Sequence, residues 1–490
     1  MLDLKRIFEG HEDVNLEVKA AQGGIPNSIW ETYSSFANTF GGVIILGIGE
    51  DKNTKKFIPV GIENPQKMIM DIWNTLNNHQ TVSANILLNN QIYSLKYNGL
   101  DFVIIEVPRA NRHDRPVFVG MDMFSGSYKR NHESDYHCTK EEVLEMLKDQ
   151  SDTSADSLVL DDIGIEALNA DSIKNYRLRF KNIREEHISN KLPDDQFLIK
   201  IGAAKISKVD GMIHPTLGGL IFFGEFVEIL NELPNFFLDY REKQSFETRW
   251  SDRVCSGDSN WSGNVFDFYF RVIDRLTADV KRPFKLDNNL MRIDDTPVHK
   301  ALRECLANAL IHADYYGRRG IVIDKEFRKI TFSNPGTFRV DINEAIAGGV
   351  SDARNVRIFN MFSLINVGER SGIGLCDVYN TWKENGYKKP IIKETVNPDR
   401  VTLTLETHSV DDVANVVNDV ANVAKDYLSD DTIYSYIASH TNASTKEIAD
   451  AVGLSVRTVQ RNVKELENKN IIKKAGTRNN VKWIVLKKAS

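Results

Sequence analysis

The sequence predicts a multidomain α+β protein, and three observations carry that expectation. Its 490 residues, 41% hydrophobic and 27% charged, can bury substantial cores but exceed what one ordinary domain holds. Helical and strand periodicities alternate along the chain instead of separating into an all-helical and an all-strand half. The charge is uneven: the chain totals −6, yet residues 444–490 carry eleven Lys and Arg against four Asp and Glu. A basic end on an acidic body points to a localised polyanion contact. Only 13 Pro and 30 Gly beside 24 Phe, 15 Tyr and 6 Trp argue against a disordered or collagenous chain. No run of about 18 apolar residues occurs, and the first residues lack an apolar segment of the kind that engages a secretion machinery, so membrane contact and export are not expected. Cys138, Cys255, Cys305 and Cys376 stand far apart with no C-x-x-C pair, and a reducing cytoplasm is the expected setting.

Residues 1–150 form the first expected domain. Residues 12–19 read as a strand in which Glu17 and Lys19 alternate with Leu16 and Val18, with Glu12 at its start. Residues 29–39 read as a helix, and residues 41–51 as one buried strand ending in Glu50 and Asp51. Carboxylates that converge at strand ends can bind Mg2+ or Mn2+ for phosphodiester hydrolysis. Glu17 and Lys19 can equally form a plain surface ion pair, which is worth little. Thr139, three residues before Glu142, opens a helix with a capping box, and the small polar run over residues 149–157 reads as a linker. Residues 157–290 are expected to be a connecting α/β region, and the apolar stretch at residues 217–224 is short and Phe/Ile-rich enough for a buried strand.

Residues 291–406 look like one nucleotide-handling unit. A helix over residues 301–312 places Glu304, Asn308 and His312 at i, i+4 and i+8, on one face. Such a stripe is costly to bury without partners, and a metal-triphosphate is one partner; a solvated face is the other reading. Strand patterns follow at residues 320–324 and 329–333, then Asn334-Pro-Gly336, Arg354-Asn355 and the glycines Gly368, Gly372 and Gly374. No Gly-x-x-x-x-Gly-Lys-[Ser/Thr] is present, which excludes a P-loop motor.

Residues 407–428 repeat with a period of seven, Asp412-Val-Ala-Asn-Val-Val-Asn then Asp419-Val-Ala-Asn-Val-Ala-Lys. They read as a heptad-like linker helix or tether, or as a homo-oligomerisation seam. Residues 429–490 predict helix, turn, helix and β-hairpin. Ser444 caps a helix burying Ile448, Ala449 and Val452, and a second helix from Ser455 buries Val456, Val459, Val463 and Leu466. Arg457, Gln460, Arg461 and Lys464 stay outside, and a strand pair carries Lys473, Lys474 and Arg478. This is a winged helix-turn-helix pattern, with a helix suited to the major groove and a basic wing suited to phosphates.

The order from residue 301 to Gly374 resembles the GHKL-type ATPases (gyrase, heat-shock chaperone, histidine kinase), in the divergent form labelled a helicase-like ATP-binding domain, an α/β sandwich. The resemblance implies that Asn308 holds Mg2+, Glu304 orients the hydrolytic water, and Gly372 and Gly374 approach the phosphates. It extends the ATP site to His312, Asn334, Gly336, Arg354 and Asn355. The adenine-binding Asp-x-Gly of that family is here Asn334-Pro-Gly336, which keeps an uncharged acceptor for the adenine amino group.

At the N-terminus, Glu-x4-Glu-x-Lys, Phe36-Ala-Asn-Thr-Phe-Gly-Gly, Gly-Ile-Gly-Glu-Asp and Tyr128-Lys-Arg resemble the Schlafen/AlbA-type domain, an α+β fold. The resemblance implies a nuclease site of Glu12, Glu17 and either Glu50 or Asp51, with Lys19 beside them and Mg2+ or Mn2+ held by the acids. Three functions follow as expectations. The first is a nucleic-acid-acting protein with a metal-dependent endonuclease domain and an ATP switch, in defence or stress response. The second is a non-catalytic, nucleotide-responsive transcriptional regulator, and the third is a chaperone-like ATPase. DNA, RNA and ATP are the expected partners.

Overall fold

The computed structural model describes residue 7 and residues 15–51, 56–132, 134–243, 250–280, 295–368, 372–396, 398–407, 433–434, 436–452, 456–468, 471–477 and 480–486. The chain divides into two compact units, residues 1–384 with 389–406, and residues 385–388 with 407–490. Glu12, Arg478 and the heptad repeats at residues 412–425 lie outside the described residues.

The first unit opens with β1 (Leu16–Lys19), α1 (Ser28–Asn38), β2 (Gly42–Leu46), β3 (Ile48–Glu50), β4 (Phe57–Pro59), α2 (Pro65–Leu76), β5 (Ile92–Tyr97) and β6 (Leu100–Val107). Four of the strands form a sheet in the order β1-β2-β6-β5. β1 runs parallel to β2, with Glu17 opposite Ile44, and the other neighbours are antiparallel. Alternation sends Ile44 and Leu46 into a core with Trp30, Tyr33 and Phe36 of α1 and Ile72 of α2, while Ile45 joins Phe102 and Ile104 on the opposite face. The single strand expected at residues 41–51 is two strands. The chain turns at Gly47, where φ is +101°, and β3 leaves the sheet to pair with β4. Then come α3 (Met123–Gly126), the hairpin of β7 (Tyr128–Asn131) and β8 (Ser134–His137), and α4 (Lys140–Gln150). α4 carries the expected capping box, Thr139 accepting from Glu142 N–H and Glu142 accepting from Thr139 N–H.

The polar run after α4 is no loose linker. Asp149 is bound by arginines of the following region, and Asp156 is fully buried, accepting from the backbone N–H groups of Arg357 at 2.7 Å and Ile358 at 3.0 Å. Next come α5 (Ala170–Ile183), α6 (Asp194–Ile201), β9 (Ala204–Ile206), β10 (Ile213–Pro215), α7 (Leu217–Phe223) and α8 (Phe226–Glu232). α7 corrects the buried strand expected there. Every position of it is apolar or glycine and buried, so alternation could not show, and the Thr216 hydroxyl caps the helix by accepting from Gly219 N–H. Tyr176 of α5 centres an aromatic cluster with Phe197, Phe222, Phe223 and Phe266, and its hydroxyl donates to the Met361 carbonyl at 2.8 Å.

The second sheet has six strands in the order β12-β11-β13-β14-β16-β15. They are β11 (Leu238–Lys243), β12 (Asp252–Cys255), β13 (Ile321–Glu326), β14 (Lys329–Pro335), β15 (Ile391–Thr395) and β16 (Arg400–Glu406). Between them lie α9 (Val265–Thr277), α10 (Pro297–Ile311), α11 (Ile342–Ala347), α12 (Val356–Leu364) and α13 (Gly374–Glu384). α10 packs on β14 and lies between α9 and α13. Two strands and α9 of this layer come from residues ahead of 291, in the stretch read from sequence as a connecting region.

In the second unit, α14 (Thr445–Val452), α15 (Val456–Asn468) and the antiparallel pair β17 (Ile472–Thr477) and β18 (Asn480–Val485) enclose a core that includes Ile448, Ala449, Val459, Val463, Leu466 and Trp483. Val456, expected inside, is 39% exposed, because α15 begins with it and only its later turns face the core. Among the described residues no helix is long and apolar enough to cross a membrane.

Candidate nucleotide cleft and nucleic-acid surfaces

α10 is shaped for its task by its two faces. Thr296 caps it and Pro297 occupies its first turn, where no N–H is needed. Leu302, Cys305, Leu306 and Leu310 are buried against the sheet and neighbouring helices. The stripe at i, i+4 and i+8 faces a cleft instead, so Glu304, Asn308 and His312 all line one cavity, and Asn308 Nδ2 donates to Glu304 Oε1 at 3.1 Å. The cleft spans about 1030 Å³, a figure that takes in the open solvent at its mouth.

Two glycines bring the next helix to this stripe. Gly374 starts α13, and a Cβ there would sit 2.0 Å from Glu304 Oε1, so any larger residue would push the Glu304 side chain from its present position. Gly372 has φ +67°, and a Cβ there would meet Val350 N at 2.9 Å. The N-terminus of the 11-residue α13 therefore borders the cavity, where its free N–H groups and dipole favour an anion. Phe332, Ile392, Val401 and Leu403 supply apolar lining for a planar base. Asn334 also lines the cleft. Its Nδ2 donates to the Pro335 carbonyl at 3.3 Å, which leaves Oδ1 as an acceptor. Gly336 and Asn355 do not line this cavity: Gly336 borders a neighbouring one, and Asn355 Nδ2 donates to the carbonyls of Ile311 and Ala313 at 2.9 and 2.7 Å, tying down the end of α10.

Arg339, Asp352 and Arg354 complete the rim. Arg354 NH1 and NH2 donate to the two Asp149 oxygens, and NH2 also reaches the Thr337 carbonyl at 3.1 Å. Arg339 NH2 donates to Asp149 Oδ1 at 3.1 Å and its NH1 lies 3.7 Å from Asp352 Oδ1. Arg112 of the N-terminal domain closes the cluster, with Nε on Asp352 Oδ2 at 2.6 Å and NH1 on the Asp149 carbonyl at 2.7 Å. Burial opposes ionisation of Asp149, but Arg354 and Arg339 override it and hold the carboxyl below its ordinary range. Burial first, and then Arg354 and Arg339, push the His312 imidazole down to about 4, so it is neutral at physiological pH. Charged side chains thus line the cleft beside neutral ones: Glu304, Arg339, Asp352 and Arg354 border it together with Asn308, Asn334 and the neutral His312, and Asp149 holds the two arginines in place. Asn308 and Glu304 offer oxygens that fit Mg2+, which takes few protein oxygens alongside phosphate.

The N-terminal acids are arranged differently. Glu17 takes Lys19 Nζ at 2.7 Å and Arg130 NH1 at 3.3 Å, and Arg130 also holds Asp135 at 2.9 Å and stacks 5.1 Å above the Phe36 ring. Glu50 ends β3, and Asp51 N–H donates to the Lys56 carbonyl. Among the described residues no three His, Cys, Asp or Glu side chains are gathered to hold a metal ion, so Glu17, Glu50 and Asp51 form no such cluster by themselves. Lys129 of β7 pairs with Glu142.

In the second unit Ser444 and Glu447 form a reciprocal capping box, and Trp483 of the wing donates Nε1 to the Ala443 carbonyl at 2.8 Å. Gln460, Arg461 and Lys464 are exposed on α15, and Lys473 and Lys474 on β17. The placement of the Arg457 side chain lies outside the described residues.

Sequence reasoning missed Arg339, Asp352 and the role of Asp149, which belong to no motif. Their only sequence trace is charge, and charge is everywhere on this chain.

Comparison with known proteins agrees with these parts. Residues 12–139 match the family model "Schlafen, AlbA_2", residues 144–239 a "Domain of unknown function (DUF8451)", residues 324–405 "Putative ATP-dependent DNA helicase recG C-terminal", and residues 430–473 "Winged helix-turn-helix DNA-binding". The crystal structure of the DIP2311 protein from Corynebacterium diphtheriae is 15% identical, covers 98% of this chain and 96% of its own, and has a TM-score of 0.40. The solution structure of the N-terminal domain of a "Putative ATP-dependent DNA Helicase RecG-related Protein" from Nitrosomonas europaea is 24% identical over 28% of this chain and 90% of its own, with a TM-score of 0.23. No curated protein matches the chain. The chain thus combines a Schlafen/AlbA_2 domain, a helicase-like ATPase domain and a winged helix-turn-helix in that order, and the combination points to an ATP-binding, nucleic-acid-binding protein.

Proposed function

We propose that this chain is a nucleotide-responsive nucleic-acid-binding protein in which ATP with Mg2+ occupies the cleft on α10 and alters how the protein holds nucleic acid. The observation that carries the reading is the meeting of Glu304, Asn308 and the α13 N-terminus at Gly374 in one cleft with an apolar lining. Asn308 supplies an oxygen to the metal, α13 and the rim arginines attract the phosphates, and Asn334 Oδ1 accepts from the base. The winged helix contacts duplex phosphates through Lys473 and Lys474 and base edges through α15. Transcriptional regulation fits this arrangement.

The experiment is ATP–Mg2+ calorimetry followed by duplex binding at two salt concentrations, on the parent and on Asn308→Ala. We expect affinity for ATP–Mg2+ to fall on the order of 100-fold, about 2.7 kcal/mol, and the nucleotide's effect on duplex binding to vanish with it. Equal ATP affinity in both proteins sinks the assignment.

A second reading, a metal-dependent endonuclease serving defence or stress response, is favoured by one observation: Glu17 sits on a strand parallel to β2, whose continuation leads to Glu50 and Asp51. Glu12 and Lys19 would complete that site with Mg2+ or Mn2+. The paired state of Glu17 makes it the second choice.

A further inference from the structure

Arg115 is 5% exposed, and its Nε has no hydrogen-bond partner among the described residues; burial and the Arg109 charge lower its pKa to about 10 although the charges of Asp149 and Glu394 favour it. An unpaired buried cation costs several kcal/mol unless something compensates it. Every other arginine in this part of the molecule has found its anion: Arg109 grips Glu394 with two bonds of 2.8 Å, and Arg354 and Arg339 share Asp149.

Arg115 borders a small cavity between the Schlafen/AlbA_2 domain and the nucleotide-binding sheet, which adjoins the candidate ATP cleft at Thr337. Two further donors line it without an acceptor. The Thr39 hydroxyl accepts the Arg130 N–H at 2.9 Å, and its own proton has no acceptor among the described residues. The Thr337 hydroxyl has no bond there either. Four acids share these walls: Glu142 pairs with Lys129, Asp149 is taken by two arginines, Asp399 lines the cavity as well, and burial followed by the Asp399 charge pushes the Glu145 carboxyl up to about 7. The Cys138 thiol, pushed up to about 12 by burial, stays neutral.

We propose that this cavity is a site for one small oxyanion, a phosphate group, gripped by the Arg115 fork and the hydroxyls of Thr39 and Thr337. A guanidinium presents parallel N–H groups that match two oxygens of a phosphate, and two hydroxyls supply the remaining donors. Free phosphate and the single phosphate of a nucleoside monophosphate offer the same chemistry.

The test is thermal unfolding of the full chain at constant ionic strength with inorganic phosphate, AMP or chloride, for the parent, Asn308→Ala and Arg115→Met. A ligand that binds only the folded state raises the midpoint in proportion to its occupancy. Phosphate should raise the midpoint of the parent and of Asn308→Ala alike, while Arg115→Met should show no phosphate response and should unfold no earlier than the parent in chloride, because it removes an uncompensated charge. A shift by AMP but not by phosphate, kept in Asn308→Ala and lost in Arg115→Met, assigns the site to a monophosphate nucleotide. No shift with either ligand overturns the proposal, as does a phosphate shift that persists in Arg115→Met. Thr337→Val is the second variant, should Arg115→Met fail to fold. It should weaken phosphate binding roughly threefold to tenfold, and unchanged affinity overturns the assignment.

Discussion

The nucleotide cleft and the β1 strand of the N-terminal domain both set acids beside arginines, and the two arrangements are opposite in kind. At the cleft, Arg354 and Arg339 are held by Asp149 yet still line the cavity, beside Glu304, an amide, a helix N-terminus and a neutral imidazole. On β1, Glu17 has Lys19 and Arg130 within its own domain, so its charge is already answered. The contrast teaches that residue type alone does not make a site. What counts is whether the chain has satisfied the group internally, since a ligand must then displace a partner before it can bind.

The comparison breaks most visibly at its anchor. Arg354→Ala leaves Asp149 buried with Arg339 as its remaining side-chain partner among the described residues, and should cost about 3–5 kcal/mol of unfolding free energy, read by urea denaturation of the full chain. A loss under about 1 kcal/mol would mean that the pair does not hold the cleft. Next in size, Gly372→Ala forces a side chain onto positive φ against Val350 N. That strain, on the order of 1–3 kcal/mol, should fall on the turn before α13 and weaken ATP binding about tenfold or more in calorimetry. Unaltered affinity would separate this turn from the phosphates.

Glu17→Gln sharpens the other side. With its charge shared between Lys19 and Arg130 at a partly exposed edge, the change should alter stability by no more than about 1 kcal/mol, and the parent should release no product from labelled RNA or DNA with Mn2+ or Mg2+. Metal-dependent cleavage by the parent that Glu17→Gln abolishes would instead establish the endonuclease reading.

The smallest effect is one of pH. Because the folded-state pKa of His312 is depressed to about 4 from an ordinary value near 6.5, the unfolded chain takes up this proton first on acidification. The contribution is therefore complete above about pH 6.5 and is lost as pH falls toward 4. His312→Gln should flatten the acid limb of the stability profile while leaving ATP affinity between about pH 7 and 8 with the same slope as the parent. A change in slope there would show that the imidazole titrates at neutral pH.

The parts that were legible in the sequence are those whose logic is local. The i, i+4, i+8 stripe of α10, the capping boxes at Thr139 and Ser444, the glycines ahead of α13 and the helix-turn-helix followed by a hairpin each fall within a short stretch where period and turn chemistry speak directly. Residues 217–223 misled because a segment apolar at every position has no period to distinguish helix from strand. The rim was illegible for another reason. Asp149 meets Arg339 and Arg354 across 190 and 205 positions, and such a pairing exists only once the two regions have docked. The same distance hid Arg115, since a lone buried arginine looks in sequence like any other.

Asp149 closes a helix that belongs, by its family match, to neither the first domain nor the nucleotide-binding one. A gene fusion that exchanged the first 150 residues for those of another lineage would have to bring an acid to this position, or leave Arg354 without its ion pair and Arg339 with Asp352 alone among the described residues. The three recognisable modules are therefore not freely interchangeable: Arg112 of the first, Asp149 of the connecting region and Arg339, Asp352 and Arg354 of the nucleotide-binding one form a single electrostatic joint, and an inherited change in one calls for a matching change in another.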